Sequence, residues 1–209
     1  MITKKDSLIL WLKDISDDDV SLVGGKNASL GELYNELVPK GIRVPNAFVV
    51  TAYAYQVFVK QTKLKELIEK ELSDLDTHDI KSLQRKGKRI RKAFLKEQLP
   101  PELIEAIQKA YEKLSQDYDS EQTDVAVRSS ATAEDLPGAS FAGQQETYLG
   151  VSGAQEVVTA VRKAFASLFT DRAISYRTDK DFDHLDVALS VGVQKMVRSD
   201  KGVSGVMFT

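Results

Sequence analysis

The sequence contains no cysteine, so disulfides, thiolate metal ligands and a cysteine nucleophile are all excluded. Histidine is nearly as scarce: His78 and His184 are the only two, and each lies among polar and acidic residues. These surroundings favour a place at the surface for both rings. Two separate histidines cannot hold a metal ion without carboxylates. Thiol chemistry and a metal site made of histidine alone are therefore ruled out.

The chain also lacks an excess of charge and a long apolar run. Its 29 basic and 31 acidic residues leave a net charge of −2. That balance gives no reason to expect nucleic acid or an anionic membrane as a partner, although a few local cations could still hold an anionic ligand. No stretch approaches the roughly 20 apolar residues that cross a bilayer, and the first residues do not resemble a secretion signal. These features predict a soluble, cytoplasmic protein.

Strand and helix patterns alternate irregularly along the chain. Strands are predicted at residues 8–12, 48–50, 125–127, 146–151, 187–197 and 205–208. Helices are predicted at residues 26–37, repeatedly within the charged stretch 52–118, and at 157–168 with a continuation towards Tyr176. This order predicts an α+β or mixed α/β fold with approximate lobes at residues 1–118 and 119–209. The apolar pattern still runs at Thr209, which favours a truncated chain.

The polar segment 129–145 is the most informative part of the sequence. It is long for a connection within a compact domain, and such loops are usually functional or disordered. Arg128 leaves a predicted strand just before it. A guanidinium followed by hydroxyl and amide donors is a combination that satisfies phosphate oxygens. Small residues such as Gly143 would let backbone amides approach a polyphosphate closely. A purely structural loop, with Arg128 in a salt bridge, is the alternative.

A second candidate phosphate site opens the predicted helix 26–37. Gly24 and Gly25 lead into the helix, and Lys26 and Ser29 follow in its first turn. The start of a helix presents free amides and a partial positive charge, to which a lysine adds a full one. The segment is not a G-x-x-x-x-G-K-[ST] loop, because the first glycine is absent. The alternative is a tight strand-to-helix turn with an exposed lysine.

Other charged residues give weaker signals. The basic run at residues 85–92 could form a phosphate or RNA surface, but the solvated face of an amphipathic helix, which would include Arg89, is the favoured interpretation. Glu134 and Asp135 could bind a metal ion, but one acidic pair in a loop is weak evidence for a metal site.

Five segments together resemble the pyruvate-phosphate dikinase family. They follow the family's order at residues 23–32, 126–137, 140–147, 168–177 and 205–209. The stretch 182–205 is most similar to the phosphoenolpyruvate synthase branch of that family. Rifampicin phosphotransferases share the DRAI and Q-x-M-V patterns and are the closest alternative. A non-catalytic scaffold is a third alternative, and the presence of Lys26 and Arg128 argues against it.

The resemblance implies an ATP-grasp fold, with ATP held between two lobes. It assigns Lys26 and Arg128 to the ATP phosphates. It also implies that Gly143 and Thr147 line the nucleotide pocket, and that Gln194 lies on a strand beneath the nucleotide. No catalytic or metal-binding residue is assigned within this chain.

The family's reaction, as the resemblance implies it, converts ATP, pyruvate and water to AMP, phosphoenolpyruvate and phosphate. A histidine on a separate domain carries the phosphoryl group, and magnesium bridges phosphate oxygens. The resemblance places the magnesium-binding carboxylates, the phosphohistidine domain and the pyruvate-binding domain beyond Thr209. Neither His78 nor His184 matches the phosphohistidine motif. The chain alone is therefore predicted to be inactive.

Overall fold

The structure, a computed structural model, describes residues 3–132 and 146–205. Five strands form one sheet in the order β1-β2-β5-β3-β4, with every neighbouring pair antiparallel. The strands are Ile9–Trp11 (β1), Ala47–Val50 (β2), Val125–Ala131 (β3), Thr147–Val151 (β4) and Leu189–Lys195 (β5). The helices are Val20–Leu37 (α1), Ala52–Gln61 (α2), Leu64–Leu72 (α3), Ile80–Lys96 (α4), Pro101–Gln116 (α5), Ala154–Ser167 (α6) and Asp171–Asp179 (α7). The mixed α/β fold that the sequence predicts is confirmed.

The helices are divided unequally between the two faces of the sheet. Successive side chains of a strand point to opposite faces, and β2 shows the consequence. Ala47 and Val49 pack with residues of α1, whereas Phe48 and Val50 join a larger core built from the other six helices. We call these two surfaces of the sheet the α1 face and the bundle face.

The bundle face carries the main hydrophobic core. A cluster of aromatic side chains lies at its centre: the ring centroids of Phe94 and Phe169 are 5.2 Å apart, and those of Phe58 and Phe94 are 5.8 Å apart. Tyr55 contacts Phe165 edge-on at 5.3 Å. Burial of large aromatic rings removes much apolar surface from water, so this cluster is a principal source of stability.

Local capping explains where two of the helices begin. Thr51 accepts a hydrogen bond from the backbone N–H of Ala54 at 3.2 Å and caps the start of α2. The predicted continuation of the helix at residues 157–168 towards Tyr176 is wrong. The helix α6 ends at Ser167, and Thr170 caps a new helix, α7. A threonine cap offers the backbone an alternative to continuing the helix, which is why the apolar spacing alone misleads here.

Strands from both halves of the chain join in this sheet. β2 comes from the first half and pairs with β5 from the second, so a boundary near residue 118 does not separate two sheets. The division into two lobes stays a prediction. Of the predicted strand at 205–208, residues 206–208 lie outside the described residues. None of the described helices is long and apolar enough to span a membrane.

Candidate functional site

Arg128 lies inside β3 and points to the α1 face. The sequence predicted that the strand ends at Val127, but β3 continues to Ala131, so Ser129 and Ser130 belong to the strand and not to the loop. Val125 and Val127 pack in the bundle-face core, which places the alternate residue Arg128 on the other face. Arg128 is the one exposed residue of β3; the other six are buried.

Two of the predicted nucleotide-binding residues lie beside Arg128. In the sheet register, Arg128 is opposite Thr147 of β4 on one side and Gly192 of β5 on the other. Directly opposed residues of antiparallel strands point to the same face, with side chains about 5 Å apart. Gln194 lies two residues further along β5 on that face, where its Nε2 donates to the carbonyl of Pro45 at 3.2 Å. The sheet therefore brings Arg128, Thr147 and Gln194 together on the α1 face.

The helix α1 begins at Val20 and not at residue 26 as predicted, and the glycines that were predicted to open it lie inside it at a kink. Gly24 interrupts the helix with φ 70° and ψ 160°, a conformation that residues with a side chain rarely adopt. A Cβ atom at this position would lie 2.3 Å from the Oγ of Ser130, so only glycine lets the turn approach β3. Lys26 is exposed and lies in the first helical turn after this kink.

The next residue, Asn27, fixes this turn to the sheet. Its Nδ2 donates to the Oγ of Ser190 on β5 at 3.0 Å. A Cβ on Gly192 would lie 2.5 Å from the Oδ1 of Asn27. Asn27 thus sits against the strand neighbour of Arg128, and Lys26 immediately precedes it. The two predicted phosphate ligands come from elements that meet at one place on the sheet.

The sequence interpretation did not single out Asn27, Ser190 or Gly192. A glycine inside an apolar strand often marks a place where another backbone or a ligand approaches closely. Gly192, together with Ser190, interrupts the apolar pattern of residues 187–197, and that signal could have identified the contact. Gly143, Glu134 and Asp135 lie outside the described residues.

An apolar cleft of 660 Å³ adjoins the end of β5. Pro45, whose carbonyl accepts the hydrogen bond from Gln194, forms part of its wall. Tyr34 and Tyr118 add aromatic rings, and Met196 adds a flexible thioether. Such a combination of apolar and aromatic walls with a few polar groups is typical of small-molecule sites.

The basic run of α4 forms ion pairs with nearby acidic residues. The basic run of α4 lies on the bundle side, where Lys86 pairs with Asp74 at 2.5 Å and Arg91 pairs with Asp171 at 2.7 Å. Arg89 is exposed, as predicted for a solvated helix face, but its guanidinium also lies 3.3 Å from the buried carboxylate of Glu71. These ion pairs support the interpretation of a structural helix face.

Clusters of three or more histidine and acidic side chains that could hold a metal ion are absent from residues 3–132 and 146–205, the part of the chain that the structure describes. The two cations of the α1 face, Lys26 and Arg128, suit the oxygens of a phosphate.

A buried pair of titratable side chains lies on the bundle side, away from Arg128. Arg177 is fully buried, and its Nε donates to the Nδ1 of His184 at 3.0 Å. Burial lowers the pKa of Arg177 to about 10. Burial and the nearby charge of Arg177 lower the pKa of His184 to about 4, while Asp183 acts in the opposite direction. The prediction that His184 lies at the surface is wrong, because this ring is half-buried; His78 is exposed as predicted.

Comparison with known proteins identifies relatives over the whole chain. The chain is 54% identical over 208 residues to the phosphoenolpyruvate synthase of Aquifex aeolicus, covering 100% of this chain and 24% of that protein. It is 53% identical to the phosphoenolpyruvate synthase of Helicobacter pylori, covering 96% of this chain and 25% of that protein. It is 52% identical to the probable phosphoenolpyruvate synthase of Methanocaldococcus jannaschii, covering 99% of this chain and 17% of that protein. The chain thus spans a quarter or less of the length of these relatives.

A family model describes the same relationship at the level of the domain. The pyruvate phosphate dikinase AMP/ATP-binding domain matches residues 20–209. The match includes Lys26, Arg128, Thr147 and Gln194, and it agrees with the resemblance seen in the sequence motifs. Because the matched segment covers nearly all of the chain, this chain belongs to the family of pyruvate phosphate dikinase AMP/ATP-binding domains.

Proposed function

We propose that the α1 face binds ATP, with Lys26 and Arg128 as ligands of its phosphates. Thr147, Gln194 and Gly143 complete the lining of the nucleotide pocket. The observation that carries this proposal is Arg128 itself. It is the one exposed residue of a strand in which the other six residues are buried, and Thr147 lies directly opposite it. A charge at such a place suits a ligand that approaches from the α1 face.

The two cations suit different parts of this task. The planar guanidinium of Arg128 can donate two parallel hydrogen bonds to one phosphate, whereas the ammonium of Lys26 acts as a compact point charge. The backbone amides where the helix resumes after the Gly24 kink would add a partial positive charge beside Lys26. In phosphoryl transfer the protein mainly positions the groups and neutralises charge. These residues supply both functions without any covalent chemistry of their own.

The base of the nucleotide would occupy the apolar cleft at the end of β5. From Gly192, which is opposite Arg128, the strand direction leads past Gln194 to Met196 at the wall of the cleft. Four residues of extended chain span about 13 Å. The phosphate ligands and the cleft are therefore separated along one strand, with Gln194 between them.

The whole protein, meaning this chain with the further sequence that its relatives carry, would convert ATP, pyruvate and water to AMP, phosphoenolpyruvate and phosphate. The names of the relatives support pyruvate as the acceptor in preference to rifampicin. Magnesium would bridge the phosphate oxygens, held by carboxylates outside this chain. The phosphohistidine domain and the pyruvate-binding domain would also lie outside it, in a cytoplasmic enzyme that supports gluconeogenesis.

A reaction assay distinguishes the ATP binding proposed for this chain from the reaction proposed for the whole protein. The chain and the whole protein are each incubated with ATP, magnesium and pyruvate, and AMP and phosphoenolpyruvate are measured. Only the whole protein should form them. The chain alone should bind ATP weakly, with an affinity that falls as salt is added, because salt screens exposed charges. Turnover by the chain alone would contradict the placement of the catalytic groups outside this chain. AMP formation with rifampicin but not with pyruvate would contradict pyruvate as the acceptor.

A further inference from the structure

We propose that Asn27 and Ser190 form a polar latch that positions Lys26 for the ATP phosphates and thereby helps to set the affinity for ATP. We use the name polar latch for these two side chains only. This inference rests on the proposed function, because it takes Lys26 to be a ligand of the ATP phosphates. Asn27 and Ser190 are positioning residues and do not themselves contact the nucleotide.

The hydrogen bonds of the polar latch join three segments of the chain. The Nδ2 of Asn27 donates both to the Oγ of Ser190 and to the carbonyl of Val23, each at 3.0 Å. The Ser190 hydroxyl in turn bonds to the carbonyl of Val23 and lies 3.1 Å from the carbonyl of Ser130. A hydroxyl has one hydrogen and two lone pairs. Ser190 can therefore accept from Asn27 while it donates to one of the two carbonyls.

This polar latch is buried, which makes its bonds consequential. Asn27 is 4% exposed, and Ser190 and Ser130 are fully buried. A buried polar group that loses its partner cannot turn to water instead. The carbonyl of Val23 comes directly before the Gly24 kink, so the polar latch holds the turn at the point where the backbone angles depart from those of a helix.

Close packing leaves the turn little freedom. The space beside Gly24 is filled by the Oγ of Ser130, and the space beside Gly192 is filled by the Oδ1 of Asn27. Gly24 and Gly192 leave room for α1 to approach the sheet. The side chains of Asn27 and Ser190 then fix where α1 lies along the strand. Packing brings the helix close to the strand, and the hydrogen bonds of the Asn27 amide fix the rotation of the helix about its axis.

The consequence for Lys26 follows from helix geometry. Adjacent residues of an α-helix are rotated by about 100° around its axis. Because Asn27 is fixed against Gly192, the direction in which Lys26 leaves the helix is fixed as well. Gly192 is also the strand neighbour of Arg128. The polar latch therefore sets the position of one phosphate ligand relative to the strand that carries the other.

The helix α1 contains a matched control at its other end. The Nδ2 of Asn35 donates to the carbonyl of Ile15 at 2.9 Å, which attaches α1 to the segment after β1. Asn27 and Asn35 are thus amide side chains of one helix that each donate to a neighbouring segment, although Asn27 is buried and Asn35 is exposed. If Asn27 acts only on stability, neither Asn27→Ala nor Asn35→Ala should change the Kd for ATP of the folded protein. If it positions Lys26, only Asn27→Ala should affect the nucleotide.

The experiment is a double-mutant cycle in the whole protein. Asn27→Ala and Ser190→Ala are each made with Lys26 intact and in the Lys26→Ala background, and the Kd for ATP is measured by calorimetric titration. Unfolding temperatures identify a range in which every variant is folded. We expect each latch variant to weaken ATP binding about tenfold with Lys26 intact, or about 1.4 kcal/mol, and less than about twofold without it. Asn35→Ala should lower the unfolding temperature and leave the Kd unchanged.

The outcomes are distinguishable. Equal weakening in the two backgrounds, or no weakening by either latch variant, would overturn the positioning role while leaving the proposed function intact. An unchanged Kd for Lys26→Ala alone would instead overturn the assignment of Lys26 to the phosphates, and the positioning role would fall with it. A weakened Kd for Asn35→Ala would show that general loosening of α1 explains the effect, which also contradicts the inference.

Discussion

The two faces of the sheet are made by the same strands and yet differ in composition. The bundle face is packed with aromatic and aliphatic side chains from six helices, including Phe94 and Phe165. The α1 face is covered by one helix and carries Arg128, Thr147 and Gln194. This difference indicates that the bundle face supplies most of the stability, and it agrees with the proposal that the α1 face binds a ligand. Substitutions on the two faces should therefore have separable effects.

The largest effect is expected on the bundle face. Phe94 is fully buried at the centre of the aromatic cluster. Phe94→Ala should lower the free energy of unfolding by about 3–5 kcal/mol, because it removes apolar contacts and leaves a cavity. Urea unfolding measures this loss. Leu95→Ala is the control, since Leu95 is the next residue of α4 and is 44% exposed; an equal loss in both variants would contradict the role of the cluster.

The α1 face should show the opposite behaviour. Arg128→Ala should weaken ATP binding by about 1.5–3 kcal/mol, the value of a hydrogen bond to a charged group, and should change the unfolding temperature little. Arg85 is the suitable control, because it is an exposed cation of α4 on the bundle side. Arg89 is less suitable, since its loss would leave the buried Glu71 without its partner. Equal effects of Arg128→Ala and Arg85→Ala in a calorimetric titration would contradict the assignment.

Two glycines, Gly24 and Gly41, test whether the close approach of α1 to the sheet matters for stability. Gly24 and Gly41 both have positive φ, at 70° and 80°, but only Gly24 has neighbours within 4 Å of an added Cβ. Alanine at Gly41, which is in the left-handed helical region, is strained by about 1–2 kcal/mol. Alanine at Gly24, whose φ of 70° and ψ of 160° are essentially restricted to glycine, is strained by about 1–3 kcal/mol. Gly24→Ala should cost about 1–3 kcal/mol more, because it also overpacks the contact with Ser130. Equal losses of unfolding free energy would show that the close approach of α1 to β3 is not needed.

The last prediction concerns pH and lies on the bundle side. His184 has a folded pKa of about 4 against an ordinary value of 6.5. Below pH 6.5 the unfolded chain therefore binds a proton that the folded chain does not. The stability contribution is fully present above pH 6.5 and is lost as the pH falls towards about 4. The urea midpoint of His184→Gln should depend less on pH across this window than that of the unsubstituted chain. The same pH dependence in both proteins would contradict the lowered pKa of His184.

Much of the fold follows from local patterns in the sequence. In α4, apolar residues and a glycine recur at helical spacing: Leu83, Gly87, Ile90 and Phe94 are buried, whereas Ile80 at the first position of the helix is 64% exposed. The glycines at 24 and 25 were predicted to open a helix, and the special conformation of Gly24 is confirmed although the helix begins earlier, because a positive φ angle depends on a few adjacent residues. Local signals of this kind are sufficient where the structure is decided within one or two turns.

The remaining features depend on contacts that are distant in the sequence. The strand β3 was predicted too short, because Ser129 and Ser130 show no apolar alternation. Pairing with β5 extends the strand over these two residues. The resemblance indicated that Arg128 and Thr147 serve one site, but their direct opposition follows from strand register. The polar latch joins residues that are 163 positions apart, and no local pattern specifies that contact. Long-range pairing, which overrides local propensity, is the reason these features were missed.

The central claim is that the α1 face binds the phosphates of ATP between Lys26 and Arg128. A crystal structure of the whole protein with a non-hydrolysable ATP analogue tests it most directly. The account predicts that the Nζ of Lys26 and the guanidinium of Arg128 both lie about 3 Å from phosphate oxygens. Phosphates bound elsewhere, with Lys26 and Arg128 both directed away from them, would contradict it.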